Sequence, residues 1–336
     1  MLKVGILGYG GIARSHRKGY EQIAELGAPV ELVALCDIDP ARFEQEIAIN
    51  ISGDDKKDGK TYRTYTDLED MLANEELDVV DICLPTFLHC EYACKLLKRG
   101  YHVQCEKPMG MNEEECKMMI AAAEESGKKL MIGMCLRFDA VYDKLKELIE
   151  GGAYGKVQSV YMERLSQMPR WGFDGWYHDY ARSGGVAMDL QIHDVDMLRY
   201  LFGEPKAVSA VTNDARTKST TVHTRLFYDD ILVTAIADWG QAKTKKFKYH
   251  ARFNLERATI EIGGNTVSVF PDEGEPFDIE VPAKPNHMGN ESWFFARTIL
   301  GEIENTKNRP EDAMGTVRLV KKIVESADHG GKILEV

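Results

Sequence analysis

An apolar strand that runs directly into a glycine-rich turn, and then into a helix, confines this chain more than any other feature. Leu2-Lys3-Val4-Gly5-Ile6-Leu7 leads into Gly8-Tyr9-Gly10-Gly11-Ile12-Ala13, and a helical pattern follows. Glycine permits the tight turn at Gly8 and a close approach of backbone to an anion at Gly10, and Ala13 is small enough for the helix to pack on the strand. The helix N-terminus then offers unpaired N–H groups and a positive dipole end to a pyrophosphate. A second apolar run, Val30 to Cys36, ends in an acid, Asp37. That acid lies further on than the roughly 20 residues of the dinucleotide fingerprint, so the first helix is expected to be long. At a strand's carboxyl end, Asp37 suits ribose hydroxyls and repels a 2′-phosphate, which favours NAD and makes NADP the less favoured cofactor. The alternative is that Asp37 only opens the turn Asp37-Ile38-Asp39-Pro40 and caps the next helix.

Strand-like and helix-like segments alternate over the first 130 or so residues. Strands are expected at 2–7, 30–36, 79–84, 101–105 and 129–134, and helices at 12–26, 40–49, 67–73, 88–99 and 112–126. Such alternation implies a doubly wound parallel sheet of the Rossmann type with ligands at the strands' carboxyl ends. The polar stretch Ile51 to Arg63 reads as a mobile surface insertion. From about 156 the pattern changes to alternating β-branched and aromatic runs at 156–165, 206–213, 221–228, 231–239, 247–254, 257–262, 266–270 and 277–281. Gly, Asn and Asp turns separate several of them. With helices near 139–151, 184–202, 289–304 and 310–328, they predict an α+β domain with a large, mainly antiparallel open sheet. The expected division is 1–134 for dinucleotide binding and 135–336 for substrate binding and association, the last helix being allowed to pack back on the first domain.

A net charge of −12 over 336 residues argues against nucleic-acid and anionic-membrane partners, which need a basic face. No apolar run approaches the ~18 residues of a membrane span, and no leader pattern precedes the first strand. The seven cysteines all fall within the first 135 residues and form no C-x-x-C pair. A reducing cytoplasm is the expected compartment.

Two patterns carry candidate chemistry. In Gly100-Tyr101-His102-Val103-Gln104-Cys105-Glu106-Lys107-Pro108 a strand ends on a Glu-Lys pair and proline stops it. The residue before proline is pushed from helical geometry, so Lys107 is expected to project from the sheet's carboxyl edge. The alternative is a surface lysine in a solvated pair with Glu106. In Gly184-Gly185-Val186-Ala187-Met188-Asp189-Leu190-Gln191-Ile192-His193-Asp194, helical spacing puts Asp189 and His193 on one face. A carboxylate beside an imidazole moves protons near neutral pH. A plain surface pair, or a satisfied buried histidine, is the competing explanation. No metal site is expected, because further ligands at fixed spacing are missing.

These residues resemble the Gfo/Idh/MocA oxidoreductases, the family of glucose–fructose oxidoreductase and inositol dehydrogenase. Gly8 to Ala13 resembles the family's nucleotide loop, Pro85-Thr86-Phe87-Leu88-His89 its proline–histidine turn, and Glu106-Lys107-Pro108 its most specific signature. Gly133-Met134-Cys135-Leu136-Arg137-Phe138 resembles the segment closing the first domain, and Gly184-Gly185 through His193 the G-G…D-x-x-x-H helix. Cys135 departs from the common pattern. The resemblance implies Lys107, Asp189 and His193 as the catalytic group. It implies cofactor contacts from Gly8, Tyr9, Gly10, Gly11, Ile12, Ala13, Asp37, Pro85, Thr86, His89, Glu106, Lys107 and Arg137.

The expected function is an NAD-dependent dehydrogenase acting on a polyol, sugar or inositol-like compound. Arg164, Trp171, Trp176 and Tyr177 are candidate substrate contacts. The aromatic run Arg170 to Asp179 suits a wall against a hydroxylated ring, or else an ordinary packed loop. A non-catalytic dinucleotide sensor and an NAD-retaining glycoside-cleaving enzyme are the alternatives on the same fold. Ile231 to Ala237 offers apolar or small residues on both faces, so the second sheet is expected to leave a sticky face. A homo-oligomer with the dinucleotide domains outward is therefore expected, and the resemblance implies a homodimer or homotetramer built sheet to sheet.

Overall fold

Residues 1–44 and 61–336 are described in a computed structural model. The expected helix over 40–49 is a 3₁₀ turn at Pro40–Phe43. The rest of that helix, and most of the expected insertion from Ile51, lie outside the described residues. The chain separates into two compact units. One comprises Met1–Cys135, Arg170–Tyr177 and Lys284–Gly315, and the other Leu136–Pro169, His178–Ala283 and Thr316–Val336.

The first unit contains a six-stranded parallel sheet. Its strands are β1 (Leu2–Leu7), β2 (Val30–Cys36), β3 (Arg63–Tyr65), β4 (Val79–Ile82), β5 (His102–Glu106) and β6 (Leu130–Gly133). The order is β3-β2-β1-β4-β5-β6, so the winding reverses between β1 and β4, where a doubly wound sheet opens its ligand crevice. The short edge strand β3 was not expected. Helices α1 (Gly11–Glu25), α2 (Leu68–Asn74), α3 (His89–Lys98) and α4 (Glu113–Ser126) alternate with the strands. All four residues of β4 and of β6 are buried, as strands covered on both faces must be.

The second unit carries α5 (Ala140–Glu150), β7 (Val157–Leu165), α6 (Tyr180–Ser183), one π-helical turn (Ala187–Gln191) and α7 (Ile192–Phe202). Then follow β8 (Ala207–Asn213), β9 (Thr221–Phe227), β10 (Leu232–Asp238), β11 (Lys248–Leu255), β12 (Ala258–Gly263), β13 (Thr266–Pro271), β14 (Phe277–Glu280) and β15 (Leu334–Glu335). They form one sheet in the order β14-β13-β12-β11-β7-β10-β9-β8-β15. It is antiparallel throughout except where β7 runs parallel to β10. Alternation is clean. Val233, Ala235 and Ala237 of β10 are buried, while Leu232, Thr234 and Ile236 face outward. The outward face is mixed rather than uniformly apolar: Arg225 lies opposite Thr234, and Glu163 lies beside Ile236. One continuous helix over 184–202 does not form. Gly184 and Gly185 both take positive φ, 71° and 72°, and separate α6 from the π turn.

Two later helices are α8 (His287–Ile299) and α9 (Pro310–Asp328), the unit division falling inside α9 after Gly315. The expectation that the helix near 289–304 belongs to the second domain is corrected: α8 packs on α1 within the first unit. The crossing is at Gly19 and Gly289. A Cβ on Gly19 would stand 2.6 Å from Gly289 N, and one on Gly289 would stand 2.9 Å from Gly19 O. Asn286 caps α8 and donates to Ser15 O at 3.1 Å, while its own N–H reaches Gln22 Oε1 at 2.8 Å. Buried Asn308 donates to Ile132 O at 2.7 Å, fastening the same late segment to β6.

Candidate active site

The glycine loop has the geometry its sequence demands. Gly8 sits at φ +88°, and a Cβ there would meet Cys83 O at 2.8 Å. Gly10 is the opposite case: a Cβ would meet nothing within 4 Å. Gly10 is also the N-cap of α1, with no side chain capping the helix. Open space over Gly10 and an uncapped helix N-terminus together fit a pyrophosphate. Asp37, at the end of β2, accepts from Tyr9 N at 2.7 Å and from Asp39 N at 2.9 Å. A carboxylate has about four lone-pair sites, so Asp37 fixes the loop and still has acceptor capacity for ribose hydroxyls. The Tyr9 ring lies 5.9 Å from Phe43, with the Arg14 guanidinium 5.0 Å above it.

At the ends of β4 and β5 two loops are tied together. Pro85 opens a 3₁₀ turn, Thr86–Leu88, in which Thr86 is buried. His89 is also buried, and its ring nitrogens lie 2.7 Å from Pro108 O and 2.8 Å from Leu84 O. Burial holds this imidazole below its usual range, against the pull of those two carbonyls. His89 therefore fastens the turn after β4 to the turn after β5. Within Val103–Gly110, Lys107 alone is half-buried, every neighbour being buried. Glu106 is buried too. Its Oε2 accepts from Lys107 N at 3.1 Å, and its Oε1 lies 2.8 Å from His16 Nε2.

In the second unit the same signature recurs. From Ser183 to Leu198 every residue is buried except Asp189 and His193, which are half-buried. Asp189 lies in the π turn and His193 in the first turn of α7, so they are not on one regular helix as expected. Gln191 anchors that turn: fully buried, it donates to Ala235 O and accepts from Thr224 Oγ1, both at 3.0 Å. Single-turn π-bulges recur at functional sites.

The structure gives other expected residues different surroundings. Arg137, expected among cofactor contacts, forks onto Asp196 at 2.7 and 2.8 Å, both buried. Arg164, expected at the substrate, is buried and bonded to Asp194 Oδ1 at 2.8 Å and Tyr142 OH at 3.3 Å. Burial raises the Asp194 carboxyl above its ordinary value even beside Arg164. Trp176 stacks on Tyr177 with centroids 4.0 Å apart, and Trp171 meets Tyr177 edge-on at 6.2 Å. The rings close around Gly172, where a Cβ would lie 2.6 Å from Tyr177. Sequence reasoning missed His16, Asp81 and Gln191. The signal for Asp81 was an acid inside an apolar strand.

Comparison with known proteins follows the same division. The family model described as an oxidoreductase family with an NAD-binding Rossmann fold matches residues 2–134. The GFO/IDH/MocA C-terminal domain model matches residues 142–267. Inositol 2-dehydrogenase of Rhizobium meliloti is 28% identical over 282 residues, 83% of this chain and 78% of that one. Glucose-6-phosphate 3-dehydrogenase of Bacillus subtilis is 32% identical over 252 residues, covering 74% and 66%. Levoglucosan dehydrogenase, solved with NADH and levoglucosan, matches in fold with a TM-score of 0.82 over 100% of this chain and 99% of that one, at 21% identity.

Proposed function

The chain belongs to the Gfo/Idh/MocA oxidoreductase family, and from that premise we propose an NAD-dependent dehydrogenase acting on a secondary alcohol or ketone of a polyol, sugar or inositol-like compound. The observation that carries the proposal is the partial exposure of Lys107, Asp189 and His193, polar residues in otherwise buried runs. Such exposure serves a ligand rather than the core. NAD, when bound, supplies the hydride acceptor. Lys107 Nζ donates to the reacting oxygen and stabilises alkoxide character. His193 takes the hydroxyl proton in oxidation and returns one in reduction. Asp189 orients the imidazole or the substrate hydroxyl.

Gly8 to Ala13 and Asp37 are assigned to the pyrophosphate and ribose, with Pro85, Thr86, His89 and Glu106 shaping the adjoining turns. Arg42, the cation nearest in sequence to Asp37, pairs with Asp39 at 3.5 Å, which supports NAD over NADP. Trp171, Trp176 and Tyr177 offer ring faces to a sugar. The seven cysteines form no disulfide, which fits a reducing compartment, and no helix among the described residues is long and apolar enough to cross a membrane.

A panel of inositols, polyols, aldoses and sugar acids, read by NADH absorbance, tests the proposal. At least one compound is expected to turn over with NAD, and Asp37→Ala is expected to weaken NAD and narrow its advantage over NADP. NADP binding as tightly as NAD to the unaltered protein would remove the cofactor assignment.

Association is expected through the outward face of the nine-stranded sheet, where Leu232 is 72% exposed and Val211 53%. The register sets these two side chains four residues and two strands apart, with Arg225 between them on the same face, so the surface offered to a second copy is mixed. Light scattering at micromolar concentration should give a multiple of the 37.9 kDa chain mass. A monomer mass would refute the assembly.

A further inference from the structure

Beneath the carboxyl ends of β4 and β5 lies a charge cluster that the proposed reaction leaves unused. His16, on α1, is fully buried. Its Nδ1 stands 2.8 Å from Asp81 Oδ2 on β4, and its Nε2 2.8 Å from Glu106 Oε1 on β5. Both facing atoms are carboxylate oxygens, and only an imidazolium donates from both nitrogens. Burial opposes that charge. The two carboxylates overcome it and hold His16 well above its usual range. Burial likewise pushes the Glu106 carboxyl up, and the bond from His16 brings it below its ordinary value.

The rest of the surroundings support the same charge state. Tyr20 OH donates to Asp81 Oδ2 at 3.1 Å, and Cys83 Sγ lies 3.9 Å from Asp81 Oδ1. Behind Tyr20, Gln104 donates to Ser292 Oγ of α8 at 3.2 Å. His89, on α3, faces backbone carbonyls, and Lys107 adds a positive charge near Glu106. A continuous line therefore runs from Asp81 through His16 to Glu106, and from Glu106 Oε2 to the Lys107 amide.

We propose that His16 is a positioning residue for Lys107, acting through Glu106. The imidazolium fixes the Glu106 carboxylate, whose second oxygen sets the backbone from which the Lys107 side chain departs. The helix behind the glycine loop thereby fixes the orientation of the proposed catalytic ammonium. This rests on the assignment of Lys107 to the reacting oxygen.

The test uses the full chain as His16→Gln, Asp81→Asn and the double variant. In His16→Gln the new amide keeps a donor for Glu106 but aims its carbonyl at Asp81. Two acceptors then stand face to face, and two buried carboxylates lose their cation. Adding Asp81→Asn supplies the missing donor. With the best compound of the panel, His16→Gln should lower kcat roughly 10- to 10²-fold, the scale of a misplaced catalytic group. NAD affinity by calorimetry should stay nearly constant, and Asp81→Asn should restore most of the loss. A second readout needs neither substrate nor cofactor. Acetylation of Lys107 across pH, followed by mass spectrometry, gives the midpoint at which the ammonium loses its proton. Extra negative charge favours the ammonium, so His16→Gln should move that midpoint upward and the double variant should return it. An unmoved midpoint, or a double variant no better than the single, overturns the proposal. If His16→Gln does not fold, Glu106→Gln is read instead. It removes a negative charge and should lower the midpoint, and no movement again overturns the proposal. A shifted and rescued midpoint in a protein whose turnover ignores Lys107→Ala supports the positioning and rejects only the catalytic assignment of Lys107.

Discussion

Replacing His193 with alanine is expected to lower turnover about 10²-fold or more, the usual cost of a lost general acid–base, while NAD affinity changes little. Lys107→Ala is expected to cost a similar or larger factor, because a positioned cation at a developing alkoxide is commonly the largest single electrostatic contribution. Two observations make these substitutions informative. His193 is half-buried at the start of α7, and Gln191 ties the surrounding run from Ser183 to β9 and β10. Truncation at 193 therefore leaves the two Gln191 bonds in place. The cofactor loop belongs to the first unit and His193 to the second, so NAD binding reports separately on folding of the nucleotide site. Near-normal turnover by His193→Ala on the responsive compound would remove the proposed proton transfer.

Gly19→Ala is expected to destabilise the first unit by about 3 kcal/mol, the upper end of ordinary overpacking. Two effects oppose each other here. Alanine favours a helix interior over glycine by up to ~1 kcal/mol. The new Cβ, however, would stand 2.6 Å from Gly289 N and 2.9 Å from Gly289 Cα. Those are backbone atoms of a packed helix and cannot swing aside, so the steric cost wins. At roughly 2–4 °C per kcal/mol for a large domain, the melting temperature should fall by about 6–12 °C. Gly263→Ala is the control, since a Cβ there meets nothing within 4 Å. Equal melting temperatures for the Gly19 variant and the parent would mean that α1 and α8 separate without penalty.

Much of this architecture was legible because its signals are local. The strand–glycine–helix opening, the alternating pattern to residue 134 and the period-two runs after 156 each report on burial of nearby residues. Glu106-Lys107-Pro108 was legible for the same reason. The unread parts depend on partners far away in sequence. His16 sits at helical spacing from Ala13, Tyr20 and Ile23, all of them buried, and this position looks like core until Asp81 and Glu106 arrive from other strands. The π turn is dictated by Gln191 bonding to β9 and β10, which helical periodicity does not reveal. Arg137 and Arg164 looked available for ligands because Asp196 and Asp194 lie 59 and 30 residues away. The docking of α8 was misassigned because a glycine–glycine contact has no hydrophobic signal.

That contact also sets a timetable. The bond from Asn286 to Ser15 O spans 271 residues. At a synthesis rate of about 5–20 residues per second, on the order of 10 to 60 s separate the emergence of α1 from that of its partner helix. Throughout that interval the nascent nucleotide-binding unit holds Ile23 and the glycine notch of α1 uncovered. Its completion waits on translation rather than on its own folding rate.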